Sequence, residues 1–183
     1  MKKLLLLASI LAISGVAMAA TGDGSGTLDV KARIVKPLTV ETEALDFGII
    51  AIGSSGYVDD MDATKSGKVK VTGSPNSTIK LDIADISGLS KNFGEVTLIN
   101  STGDKNDENN QLVAYLSFNE TSENDAHGFK DRLTSNNTSI SLNNKGERSV
   151  YVGGYTKTIP ETQNGGSYTG TMLVTATYEP FGK

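Results

Sequence analysis

Apolar and polar residues alternate singly along much of this chain, most sharply in short stretches bounded by glycine, proline, serine and asparagine. In Thr27 to Val35, Leu28, Val30, Ala32 and Ile34 alternate with Asp29, Lys31 and Arg33. An extended chain there is apolar on one side and polar on the other. Pro37 ends the stretch, because it has no N–H for a ladder and biases Lys36 toward extended or turn geometry. The polar, glycine-rich run Thr21 to Gly26 precedes it and would let it swing free of the body behind it. Such a strand can pair with its own domain or with a neighbour's, and the pattern alone leaves both pairings open.

Further along, Leu38 to Val40 continue an extended pattern, and Leu45 to Ile52 predict a dense apolar strand with a bulge or close backbone approach at Gly48. Gly67 to Gly73 place Val69 and Val71 inward and Lys68 and Lys70 outward, Gly73 to Asn76 are turn chemistry, and Ile79, Leu81 and Ile83 resume the alternation. Glu95 to Asn100 and Val113 to Asn119 predict strands, with Ala114, Leu116 and Phe118 on one face. Polar runs, Asn100 to Gln111 and Asn119 to Asn137, follow each of them, and Gly128 to Leu133 suit a helical turn. Ile140 and Leu142 mark a short strand before the turn Asn143 to Gly146. Arg148 to Tyr155 form a strand with a glycine pair, and Asn164 to Gly166 a turn. Tyr168 to Tyr178 read as one long strand with Tyr168, Gly170, Met172, Val174, Ala176 and Tyr178 on one face. About ten short strands separated by turns predict an all-β, immunoglobulin-like antiparallel β-sandwich.

Composition changes that picture at one end. Lys2 and Lys3, the apolar run Leu4 to Val16 and Ala17-Met18-Ala19 are a basic region, a hydrophobic region and an A-x-A cleavage site, so residues 1–19 are expected to be a cleaved signal peptide. The expected organisation is then 1–19 signal peptide, 20–36 N-terminal extension and 37–183 sandwich domain. Loss of Lys2 and Lys3 lowers the 17 basic residues to 15 against 21 acidic ones, a net charge of −6 that disfavours nucleic acid and anionic membranes as partners. Cysteine is absent, so no disulfide staples an exported fold and its stability rests on core and ladder.

Candidate chemistry adds little. One histidine, His127, and no cysteine give no histidine-based metal pair, and neither G-x-S-x-G nor H-E-x-x-H occurs, so no catalytic residue, metal ligand or cofactor is assigned. Asp104 to Asn109 is rich in oxygen ligands but lacks the glycine and terminal glutamate of an EF-hand loop, and it reads as a solvated loop, as does the cluster Asp59, Asp60 and Asp62. Asn76-Ser-Thr78 matches a glycosylation sequon and reads as a turn. Tyr151 and Tyr155 could line a sugar-binding surface, although ladder packing is the commoner use of such residues.

Several of these segments taken together resemble a known family. They are the exported start, the alternating strand ending at Pro37, Leu45-Asp-Phe-Gly48, Val69 to Asn76, Val152-Gly-Gly154 and the closing run Gly166 to Tyr178. In that order they resemble the DUF4402 family of exported bacterial domains, which is similar to pilin subunits of the chaperone–usher type.

The resemblance implies a pilin- or adhesin-type sandwich lacking one strand, completed by the N-terminal extension of the next subunit. Leu28, Val30, Ala32 and Ile34 would then be the donor side chains, and the last strand, through Tyr168, Met172, Val174, Ala176 and Tyr178, the acceptor edge. Burial of the donor residues would contribute on the order of 5–9 kcal/mol before ordering costs. The implied partners are other copies in a homopolymer, a periplasmic chaperone, an outer-membrane usher and a host or matrix receptor. The implied route crosses the inner membrane and periplasm to a fimbrium on the cell surface. Chaperone–usher pilins carry a tyrosine next to last, whereas here Glu179 to Lys183 follow Tyr178, so a chaperone that reads the C-terminus meets a different tail. The alternative function is a monomeric exported sandwich that binds a glycan or protein through its polar loops.

Overall fold

Single alternation buries one side of a strand, and the clearest alternating segments supply the two central layers of the fold. In a computed structural model, which describes residues 26–60, 62, 64–90, 92–120 and 132–180, strand β3 (Gly67–Thr72) buries Val69 and Val71 and leaves Lys68 and Lys70 half-covered. Strand β4 (Thr78–Asp85) buries Ile79, Leu81 and Ile83. These two strands belong to different sheets, and their apolar sides meet.

The first sheet is built from β1 (Thr39–Glu43), β3, β9 (Glu147–Thr156), β6 (Gln111–Asn119), β5 (Glu95–Asn100) and β10 (Tyr168–Thr169), hydrogen-bonded in that order. Two short strands complete its eight: β2 (Tyr57–Val58) pairs with β9, and β7 (Arg132–Leu133) with β6. The second sheet has three strands, in the order β11 (Met172–Tyr178), β4, β8 (Thr138–Ser141). Every pairing is antiparallel. Val69, Val71, Phe118, Val150 and Val152 of the first sheet pack on Ile79, Leu81, Ile83 and Ile140 of the second, with Leu142 beside them. The expected all-β antiparallel sandwich is the observed one.

The chain divides into two units, residues 1–34 and 35–183, and the sandwich lies in the second. Within the described part of the first, residues 26–34 carry no assigned strand, and Leu28, Val30 and Ile34 are 87%, 74% and 99% exposed. The alternation of Thr27 to Val35 therefore fits a strand without producing one, because a strand needs a ladder and these residues have none. The signal-peptide reading and His127 lie outside the described residues. So does most of the expected helical turn 128–133, whose last two residues form β7 instead.

Two strand expectations are corrected. Residues 45–52 form no strand. Asp46 Oδ1 accepts a hydrogen bond from Gly48 N at 2.8 Å, and Gly48 and Gly53 sit at φ +68° and +82°, a left-handed backbone that breaks a ladder. The expected single strand 168–178 is two, β10 in the first sheet and β11 in the second. The chain changes sheets at Gly170, where a Cβ would stand 2.8 Å from Leu98 Cδ2 and 2.9 Å from Thr97 O. Only a residue without a side chain passes there.

Candidate functional site: an apolar groove beside the last strand

Three strands are too few to cover a sheet whose main path is six strands wide. The uncovered part lies beyond β11, the terminal strand of the second sheet, and it forms a groove of about 1130 Å³. Its floor is the inner face of the first sheet, including Val96, Leu116, Phe118 and Val152. Its walls are β11, through Met172 and Val174, and residues 44–52, through Leu45, Phe47 and Ile50. The lining is thus mainly aliphatic and aromatic, and Leu98, Leu112 and Leu116 are only half-buried although they point toward the core layer.

Strand β11 explains why the groove is open. Val174, Ala176 and Tyr178 stand opposite the buried Ile83, Leu81 and Ile79 of β4, so with Met172 they face inward. They remain half-exposed while their β4 partners are covered. Leu173, Thr175 and Thr177 face outward. One edge of β11 is paired with β4; on its other edge no strand is hydrogen-bonded among the described residues. That edge, beside a half-covered apolar face, is where a further strand could be added.

Hydrogen bonds fasten the segment 163–178 at both ends. At one, Ser74 N donates to Tyr178 Oη at 2.7 Å, and Tyr178 Oη donates to Lys36 O at 2.7 Å. At the other, residues 163–168 are fastened to 100–111. Gln163 Nε2 donates to Asn109 O, Gln111 O and Tyr168 Oη, and Asn164 Nδ2 to Asn110 Oδ1 at 2.9 Å. Asn100, 3% exposed, donates to Gly165 O. Asp85 secures the adjacent rim. Burial raises its carboxyl pKa, but hydrogen bonds from Ser87, Ser90 and Thr97 outweigh burial and hold it below the usual carboxylate value. The backbone N–H of Ile86 then bonds Thr171 O, just before β11.

Of the residues expected at an acceptor edge, Met172 and Val174 line the groove, and Ala176 and Tyr178 share their face and pack on the core. Tyr168 also lines it but stands in the other sheet, opposite Asn100 of β5. The expected donor residues Leu28, Val30, Ala32 and Ile34 are exposed. Leu45, Phe47, Ile50 and Ile159 are groove residues that the alternation did not single out; the signal of the first three is an apolar run with no period, and Ile159 stands alone in a polar stretch. The carboxylates of Asp104 and Asp107 accept from Asn106 and Asn109 in local turns. Among the described residues no group of three or more histidine, cysteine, aspartate or glutamate side chains could hold a metal ion, and no helix is long and apolar enough to cross a membrane.

No family model matches the chain and no curated protein does, so the DUF4402 resemblance rests on the order of its motifs. Among solved structures the chain is similar to one from work on a chaperone–tip adhesin complex in CFA/I fimbriae biogenesis. The identity is 17% and the TM-score 0.42, over 78% of this chain. This chain spans 42% of the length of that one.

Proposed function

We propose that the protein is a structural, pilin-like subunit of a bacterial surface fibre, assembled by donor-strand complementation and contributing to adhesion. In this reading the sandwich is one strand short, and the N-terminal extension of a second copy lies along β11 in the groove. The observation that carries it is the pairing of unmet needs within one chain. The edge of β11 has a half-covered apolar side, and Leu28, Val30, Ala32 and Ile34 form an apolar side that is exposed.

The energetics agree in sign. Three large aliphatic side chains moving from water into an apolar groove contribute roughly 1.5–3 kcal/mol each, and ladder hydrogen bonds add to this. Because donor and acceptor are different surfaces of each copy, the contact does not close on itself and propagates as a fibre. A chaperone that occupies the groove in the periplasm, an usher and a host or matrix receptor are the partners this reading calls for.

The test is an unheated SDS gel of surface material beside a boiled sample, for the natural chain and for the variant Val30→Asp with Ile34→Asp. The expected result is a ladder that collapses on boiling and is missing from the variant, with export of the variant intact. Normal ladders from the variant would sink the reading.

A further inference from the structure

A second feature lies on the outward face of the first sheet, away from the groove lining. Three tyrosines stand in one register row across three strands: Tyr57 of β2 opposite Tyr155 of β9, and Tyr155 opposite Tyr115 of β6. Glu95 of β5 continues the row opposite Tyr115. Cross-strand partners point to the same face of a sheet, so the four side chains form one line.

The line is open to solvent where tyrosine usually hides part of its ring. Tyr57 is 71% exposed and Tyr155 49%, and Tyr115 is half-buried. The rings of Tyr115 and Tyr155 stack at a centroid distance of 5.2 Å and an interplanar angle of 19°, which fixes both. Among the described residues no ring stacks on Tyr57, so the exposed aromatic surface of the row lies at its Tyr57 end. Lys157 Nζ lies 5.3 Å from the Tyr115 ring centroid, and its hydrogen bond with Tyr115 raises its pKa, so it is a cation at every physiological pH.

The chemistry selects among occupants. Lys157 and Glu95 carry opposite charges at one end of the row, so no net charge calls for an ionic ligand. Three tyrosines offer at most roughly 450–750 Å² between them, below the roughly 800 Å² per partner of a stable protein interface. Rigid rings edged by phenol hydroxyls, an ammonium and a carboxylate suit a ligand with a C–H face and a hydroxyl edge.

We propose that the outward face of β2, β9 and β6 is a binding site for a neutral pyranose, its C–H face on Tyr57 and Tyr155 and its hydroxyls toward Lys157 and the phenol hydroxyls of the row. This site is independent of the groove and of fibre assembly. Saturation-transfer NMR on the purified chain with methyl β-galactoside, methyl β-glucoside and N-acetylglucosamine tests it, together with an array of neutral and sialylated oligosaccharides. The expected result is transfer to the ring C–H protons of at least one neutral sugar. Tyr57→Ala should weaken the strongest array signal at least tenfold without moving the melting temperature, and Tyr57→Phe should keep most of it. The same loss is expected from Tyr155→Ala, whose fold is checked by circular dichroism. No transfer to any of the three sugars, array binding confined to sialylated glycans, or binding untouched by Tyr57→Ala and Tyr155→Ala would overturn the proposal.

Discussion

Tyr178 donates its phenolic hydrogen to the carbonyl of Lys36, 142 positions earlier in the chain, over 2.7 Å. The same oxygen accepts from Ser74 N, so one side chain at the end of β11 joins the approach to β1 and the turn after β3. It ties the end of the second sheet to the segment that leads into the first. Tyr178→Phe keeps the ring and removes both hydrogen bonds, leaving Ser74 N–H without this partner. The expected cost is about 1–3 kcal/mol, read as a lower urea midpoint with an unchanged slope.

Gly170 permits the step from one sheet to the other. A Cβ there would meet Thr97 O at 2.9 Å, a backbone atom that cannot rotate away, and Val96 Cγ2 at 3.0 Å. Gly170→Val is expected to destabilise by roughly 1–3 kcal/mol through overpacking. Gly165→Ala, where a Cβ meets nothing within 4 Å, is the matched control and should leave the thermal midpoint near that of the natural chain.

These two positions show where sequence pattern stops informing the fold. The buried sides of β3, β4 and β9 were legible because one alternating face meets one core: Val69, Ile79 and Val150 have apolar neighbours two residues away along the strand. The division of 168–178 was hidden because Gly170 keeps the alternation in step while the chain changes sheets. Residues 45–52 misled for the opposite reason. Their apolar content reads as a buried strand, but the turn at Asp46 and Gly48 lays them along the groove, with Ile49 and Ile52 exposed. Asn100 and Asn110, polar by letter, are buried with local partners at Thr102 and Asp104 and with distant ones at Gly165 and Asn164, more than fifty positions away. No local window contains that network. The Met172 and Val174 side of the site was readable as a face; the width of the sheet beside it, which makes the groove, was not.

Acid should act through Asp85. Its folded pKa lies below the usual value because donors from Ser87, Ser90 and Thr97 outweigh the effect of burial. A depressed carboxylate contributes stability that is present above its unfolded pKa and is lost as pH falls through the folded one. The natural chain is therefore expected to lose stability more steeply than Asp85→Asn as pH falls below about 4. Thermal melts of the two proteins across that range check this. Parallel curves would show that the rim is held by other groups.

The directional character of the proposed assembly yields a test that a merely adhesive surface would fail. Val30→Asp with Ile34→Asp removes the donor side but leaves β11 intact, and Val174→Asp removes the acceptor side but leaves residues 27–35 intact. Each variant alone is expected to remain monomeric. Mixed, the intact extension of the second can enter the intact groove of the first, and the two remaining surfaces are both dead. The product should be a one-to-one pair that survives SDS until boiled, and nothing longer. Leu173→Asp, on the outward face of the same strand and 58% exposed, should polymerise normally and so separates loss of the groove from loss of the strand. A mixture that stays monomeric, or one that yields long ladders, would contradict head-to-tail strand exchange, because only donor and acceptor surfaces that are distinct and complementary stop at two.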